Sequence, residues 1–307
     1  MNLRKFGYRY LAALAGATPA FTPRPLSNDE YHSRGGADAA AGPSINPVGT
    51  GEDSTATQHP QSQASVLNAD LRNTDLRGKD LAGATLVQAT LSGADLTDAN
   101  LTGADLTDAD LTDADLTGAK LIHADLDGVV LTRARLLLAD LMDATLSSAD
   151  LTGANLTSVK LIGATLARAT LTGANLTGAN LTSVKLIGAT LARATLARAT
   201  LIDADLSGAT LVQATLSGAD LTDAKLSDAD LTGADLARAK LVRVDLTGAN
   251  LTEADLPPIQ EISALVWSRE TRWGRDTTEI RTRSIERNRV YVLNPTTGRQ
   301  AGVLVDH

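Results

Sequence analysis

The chain has 307 residues, no cysteine, 3% aromatic residues and a net charge of −8. Without thiols it can make no disulfide, thiolate metal site or cysteine nucleophile, and with so few aromatics its core must be built from leucine and alanine. No run of 18 apolar residues occurs, so no transmembrane helix is expected, and the expected location is the cytoplasm.

Residues 1–65 open with MNLRKFGYRYLAALAGATPAF, in which Arg9 interrupts the apolar stretch that a secretory leader needs uninterrupted, so export is the lesser alternative to the cytoplasm. The remainder is rich in Gly, Ser and Pro without periodicity, and is expected to be disordered.

Residues 66–256 follow one rule. From Leu71 to Leu256 a leucine stands at every fifth position, 38 in all. With each leucine as position i, i−2 is alanine except at Thr74, Lys79, Val129, Val159, Val184 and Val244. Position i−1 is mostly Asp, Asn, Thr or Lys; i+1 is mostly Thr, Ser, Ala or aliphatic; i+2 is mostly Gly, Asp or Arg. Helices need apolar residues every three or four positions and half-buried strands every two, and a unit of five is too short for the helical solenoids. A coiled β-type solenoid remains, with i−2 and i inward and three positions outward.

The stretch ADLTDANLTGADLTDADLTDADLTG (94–118) resembles the pentapeptide-repeat proteins, whose pattern is A-(D/N)-L-x-x. The resemblance covers 191 of the 307 residues and suggests a bacterial source. It implies an all-β fold, a right-handed quadrilateral β-helix with one pentapeptide per side, four to a coil, and about nine coils. Residues 20 apart should then stack, and i−1 positions at that step read Lys120, Asp140, Lys160 on one side and Lys185, Asp205, Lys225, Asp245 on another. Opposite charges across strands stabilise and like charges destabilise, so the alternation favours a 20-residue coil. Asp75, Asp95 and Asp115 stack with like charge before Arg135 relieves them. Two long internal copies, 156–171 with 181–196 and 83–99 with 208–224, are offset by multiples of five and not of 20, so each copy falls on the face next to its parent.

The repeat stops at Pro257-Pro258, which is not expected to continue a hydrogen-bonded coil. Residues 257–307 carry both tryptophans, Trp267 and Trp273, and an apolar run from Ile259 to Val266 suited to covering an open end. Val290–Leu293 and Ala301–Val305, around Asn294–Gly298, read as two strands and a turn. Solenoids need terminal caps, and this segment is the candidate C-terminal cap.

The residues offer no chemistry. His32, His59, His123 and His307 are scattered, and no metal-ligand spacing, nucleophile elbow or phosphate loop occurs. No cofactor, metal or catalytic residue is expected, and the protein is read as not an enzyme. Charge is segregated along the repeats, with eight aspartates and no base between residues 80 and 119, and five bases and no acid between 151 and 202. Those five bases, without interleaved aromatics, are a weak nucleic-acid footprint, so no direct nucleic-acid binding is expected. At the 20-residue step one outward column reads Ala82, Thr102, Ile122, Met142, Ile162, Thr182, Ile202, Thr222, Val242. Ile122, Met142, Ile162, Ile202 and Val242 are the candidate partner-binding residues, because contiguous apolar surface marks interaction sites; β-branched residues simply favoured on a sheet surface are the alternative.

The expected function is a non-catalytic interaction or scaffold protein that presents flat faces to a protein partner, with monomer and dimer both open. The family resemblance implies an alternative, an acidic rod that mimics DNA and binds DNA gyrase, for which Asp98, Asp105, Asp108, Asp110 and Asp113 are the candidate residues. The basic stretch at 151–202, the lack of any loop between repeats and the uniform leucine centre depart from the gyrase-binding members.

Overall fold

Every pentapeptide of the shaft turns one corner, because its i+2 residue takes a left-handed backbone with φ between 54° and 71°. A computed structural model of the chain describes residues 68–274 and 278–293. At each corner the next i−2 N–H donates back to the leucine carbonyl, as from Ala104 to Leu101 at 3.0 Å. Four corners close a coil, and each i−1 residue then lies in parallel register with the residue 20 further on, from Asp70 with Thr90 to Asp235 with Asp255. Three amides per repeat carry the ladder between coils: Leu106 donates to Asp125 at 2.7 Å, Asp108 to Asp127 at 3.0 Å and Asp105 back to Ala84 at 2.9 Å. The result is a right-handed quadrilateral β-helix with a 20-residue coil, and Asp150 pairs with Val130 on one side and Thr170 on the other.

Side-chain direction follows from the corners. Leu91 to Leu211 have no exposed surface, and the valines that replace alanine at 129, 159, 184 and 244 are equally buried. Leucine at i fills the shaft while alanine at i−2, next to the turn, leaves room for it. We name the four faces by their first described leucine, as the Leu71, Leu76, Leu81 and Leu86 faces.

The tail departs from the expectation at Pro257-Pro258, because the parallel ladder resumes beyond the prolines. A 3-10 turn (Ile259–Glu261) restores direction, after which Ser263 bridges Val242 and Val266 bridges Asp245. Strand β1 (Asn250–Leu251) pairs in parallel with β3 (Arg272–Trp273). The step has grown from 20 residues to 21 and then 22. Prolines interrupt donors only where they stand, and the extra residues absorb the detour. Between them lies β2 (Val266–Ser268), which joins a short helix α1 (Thr278–Thr282) and strands β4 (Ser284–Arg287) and β5 (Val290–Leu293) in an antiparallel sheet of order β2-β5-β4. The expected strand at 290–293 is therefore present, but both of its edges are taken by β2 and β4. The second strand, at 301–305, and the turn before it lie outside the described residues, as does the segment 1–65.

Ile259, Ile262, Leu265 and Trp267 are all buried in the same cluster as the last leucines. Trp267 stacks on Tyr291 with centroids 4.4 Å apart, meets Trp273 edge-on at 5.9 Å, and donates its Nε1–H to Ser284 Oγ at 3.0 Å. Thr271 ties the tail to the shaft, its hydroxyl donating to the Leu246 carbonyl at 2.8 Å. Gly274 lies so close to the last coil that a Cβ there would stand 2.5 Å from the Glu253 nitrogen and 2.6 Å from the Leu251 oxygen.

Two outcomes test this packing. Leu161→Ala should cost about 2–5 kcal/mol, and Leu161→Asp should abolish cooperative thermal unfolding because it buries an unpaired charge; an unchanged melt by circular dichroism would contradict the inward position. We propose that residues from 257 onward cap the shaft. Truncation at 256 should then expose a strand edge that associates, seen as higher oligomers in light scattering, and Gly274→Ala should give a milder form of the same defect.

Candidate interaction surface

The outward positions are decided first by the backbone. Four of the five amides in a repeat are spent on the corner and the ladder, and the fifth, at i+1, faces outward along the strand. The i−1 side chain takes it: Asp105 Oδ1 accepts the Thr107 N–H at 3.0 Å and the Thr107 hydroxyl at 2.7 Å. Asn100 with Thr102, Asp150 with Thr152 and Asp230 with Thr232 repeat the arrangement. Asp and Asn at i−1 with Thr at i+1 are thus a local Asx turn, not a charge placed for a partner. Sequence reasoning read these positions as outward and missed this bond, although the D/N-L-T spacing signals it.

The five candidate acids do not share one face. Asp98 stands at the corner between the Leu76 and Leu81 faces, Asp105 and Asp108 belong to the Leu86 face, and Asp110 and Asp113 to the Leu71 face. The structure gathers the last four onto two adjoining faces and leaves Asp98 apart. Asp105 is occupied by its own turn. Asp110 is partly buried, which raises its pKa, but the Ser92 hydroxyl at 2.6 Å and the Thr112 hydroxyl and N–H outweigh that and hold it below the ordinary value. Asp113 is neutralised by a two-pronged pair with Arg133 one coil on, at 2.7 and 2.8 Å, which lowers its pKa. Asp98 and Asp108 are exposed, and each folds its carboxylate onto a glycine of the next coil, Gly118 and Gly128, where a Cβ would collide with it. Asp143 with Gly163 and Asp228 with Gly248 do the same. An acid at i+2 followed 20 residues later by glycine is a second sign of the coil length that was present in the sequence.

The charge stacks are polar in direction. Lys160 reaches Asp140 at 3.1 Å and Lys240 reaches Asp220 at 3.1 Å, each base pairing with the acid one coil earlier. Among the described residues Lys120, one coil before Asp140, makes no such pair. The like-charged Asp75, Asp95 and Asp115 are relieved from both ends, by Arg77 at 2.7 Å from Asp75 and 3.5 Å from Asp95, and by Arg135 at 3.5 Å from Asp115. Arg77 holds the Asp75 carboxyl at about 2.

Ile122, Met142, Ile162, Ile202 and Val242 do form one column on the Leu81 face, one residue per coil. They are half-buried, and Thr222 within the column is buried. Four of the five follow a Lys or Thr at i−1, where no Asx turn forms, so turn chemistry accounts for part of the pattern; Met142, after Asp140, is the exception. The Leu81 face also has the smallest net charge, with six acids against five bases, where the Leu86 face has seven against three. At the corner between the Leu76 and Leu81 faces stands Leu138, 60% exposed and with φ of 60°. It is the single apolar side chain at a left-handed corner of the described shaft, a conformation that costs a non-glycine residue about 1–3 kcal/mol. Sequence reasoning passed over it as one more i+2 residue.

Away from these faces, Thr247, Ser268, Arg269, Glu270, Glu286, Arg289 and Val290 line a cleft of about 540 Å³ beside the tail. Its charges bond one another, with Arg269 3.6 Å from Glu286 and 3.0 Å from the Tyr291 hydroxyl. His123 is an exposed corner residue with φ of 56°. Among the described residues no group of three or more His, Asp or Glu side chains is arranged to hold a metal, and no helix is long and apolar enough to cross a membrane.

Two measurements follow. Asp105→Asn keeps the acceptor and should leave the melting temperature unchanged, whereas Asp105→Ala should cost about 1 kcal/mol for the orphaned amide. Asp110, Asp150 and Asp220 are all partly buried, and in each the hydrogen bonds to the charged form outweigh burial and lower the pKa. Their stabilisation is therefore complete above the unfolded value near 3.9 and is lost as pH falls through the folded value. The melting temperature should be level from about pH 7 to 5 and drop below about 4, and Asp→Asn at the three positions should flatten that drop.

The family profile described as Pentapeptide repeats matches the chain in eight overlapping copies between residues 67 and 256. Among solved structures, HetL, a pentapeptide repeat protein involved in heterocyst differentiation regulation from Nostoc sp. strain PCC 7120, is 35% identical over 65% of this chain and 89% of its own, with a TM-score of 0.41. Rfr23 from the cyanobacterium Cyanothece 51142 is 34% identical over 36% of this chain and 63% of its own, with a TM-score of 0.19. QnrB1, a plasmid-mediated fluoroquinolone resistance protein, is 20% identical over 64% and 92%, with a TM-score of 0.36. Among curated proteins none matches. With the profile spanning more than half of the chain and the 20-residue coil formed by its repeats, the protein belongs to the pentapeptide-repeat family.

Proposed function

We propose that the protein is a non-catalytic interaction rod and that the Leu81 face is its binding surface. The observation that carries this reading is the half-exposed aliphatic column of Ile122, Met142, Ile162, Ile202 and Val242 on the face of smallest net charge, with Leu138 at its margin. The shaft side is flat because the described repeats contain no insertion, which suits a broad contact with another folded protein. Met142→Asp and Ile162→Asp should abolish that contact without unfolding the shaft, since i+1 already tolerates an acid at Asp127. Affinity capture from the native host with each variant as control measures this; a partner retained by both variants would exclude the Leu81 face.

A second reading, binding to DNA gyrase as an acidic rod, is supported by the stretch from 80 to 119 with eight aspartates and no base. Asp98, Asp108 and Asp105, whose turn engages only Oδ1, are the acids there that bear on it most, because Asp110 is partly buried against Ser92 and Thr112 and Asp113 is paired with Arg133. On that reading the protein inhibits supercoiling, salt weakens the effect through screening over about 8–10 Å, and Asp→Asn at 98, 105 and 108 reduces it more than at 220, 223 and 228. No inhibition at large molar excess would dismiss it.

A further inference from the structure

The Leu81 face has features that select its occupant. Charge along the shaft is arranged in two blocks, acidic from 80 to 119 and basic from 151 to 202. Two shafts side by side and pointing the same way set acid against acid, while two that point in opposite directions set the acidic block of each against the basic block of the other. The face itself carries the same instruction at finer scale. Its i−1 stripe reads Lys120, Asp140, Lys160 at one residue per coil. A two-fold axis centred on a coil brings like charges together, and an axis centred between coils brings opposite ones together.

We propose that the Leu81 face binds a second copy of this chain in an antiparallel pair, with the two-fold axis between the coils of Asp140 and Lys160. This rests on the reading of the Leu81 face as the binding surface and names what occupies it. In that register Asp140 faces Lys160 of the second copy, and because Lys160 already lies 3.1 Å from Asp140 within each chain, the four groups alternate in sign around the axis. Met142 faces Ile162 while Ile122 faces Thr182 and Ile202 faces Thr102, so the apolar contact centres on the Met142–Ile162 pair and Val242 lies outside the overlap. At the corner, the exposed Leu138 faces Ser158, a small residue on an otherwise equivalent left-handed turn. Asp98, unpaired with any base among the described residues, faces Arg198, which lies at the far end of the basic block. Between residues 98 and 203 no two like charges meet on this face. The outermost encounter, Asp80 with Asp220, is tempered by Lys79 in the adjoining position and by Lys240, 3.1 Å from Asp220.

The overlap covers eight coils, or about 34 Å at a strand spacing of 4.8 Å, and a face about 16 Å wide at five residues of strand rise. That is on the order of 500 Å² per copy, below the roughly 800 Å² of a standard stable interface. The pair is therefore reversible and sensitive to salt.

Sedimentation velocity of the full chain across a concentration series tests this. Monomer and dimer should exchange with concentration, and dimerisation should weaken as salt rises. Arg198→Asp and Asp98→Arg should each weaken the dimer tenfold or more, and the double swap should restore it; both residue types occur natively at i+2, at Asp203 and Arg193, so the fold is retained. Because the chain has no cysteine, Ile122→Cys with Thr182→Cys and a short bismaleimide should yield a covalent dimer, since the two positions oppose each other only between antiparallel copies. A chain that stays monomeric at every concentration, or a dimer that the double swap fails to restore, overturns the proposal. If the chain is monomeric yet captures a different protein in a manner that Met142→Asp abolishes, the second copy is wrong and the binding face stands. If neither a dimer nor any capture responds to Met142→Asp, both fall.

Discussion

The structure depends on the disposal of five amide N–H groups per repeat. One closes the corner, three make the ladder to the coils on either side, and the fifth has no backbone acceptor within reach. A buried or half-buried amide left without a partner costs about as much as a lost hydrogen bond, and the repeat recurs some 38 times, so a small saving per unit is multiplied along the shaft. The leucine column excludes water from the interior; the Asx turn at i−1 completes the backbone on the outside. Together they make a shaft that needs no loop and no large aromatic side chain between residues 68 and 256.

This constraint changes what the surface charge means. Sixteen of the 25 acids that give the shaft its net negative charge stand at i−1, where many bind their own backbone; others at i+2 lie on a glycine one coil away or against an arginine, as Asp98 does with Gly118 and Asp113 with Arg133. A count of carboxylates therefore overstates the charge available to a partner. The positions with neither Asp nor Asn at i−1 are informative for the opposite reason. There the i+1 threonine is released from its turn and aliphatic residues replace it, and on the Leu81 face those replacements align.

The two ends of the described chain differ in kind. At the C-terminal end the parallel ladder outlasts the repeat, since Ser263, Val266, Arg272 and Trp273 pair with the last coil at a lengthened step. The tail thereby continues the shaft's geometry with non-repeating sequence, and uses Trp267, Tyr291 and Ile280 to build a small core of a different composition on top of it. At the other end the first described coil carries Arg72 and Arg77 where the next coil has Ser92 and Thr97, each clasping the i−1 aspartate of its own turn.

The sequence by itself determined the coil. A five-residue period with leucine at its centre admits one inward stripe per side; four sides to a coil came from the resemblance to the pentapeptide-repeat proteins, and the Lys and Asp alternation at a step of 20 agrees with it, because side chains stacked 4.8 Å apart feel each other's charge. The same periodicity located the Leu81 column, including Ile122 and Met142, since residues 20 apart must share a face. Tertiary structure alone decided how far that column protrudes, which depends on packing between neighbouring coils, and which acids are free, which depends on side-chain conformation. It also decided the tail. Pro257-Pro258 reads as a stop because proline lacks a donor, but whether a chain resumes pairing after a detour is set by the edge waiting for it, and that edge belongs to residues 242–251, not to the segment that meets them.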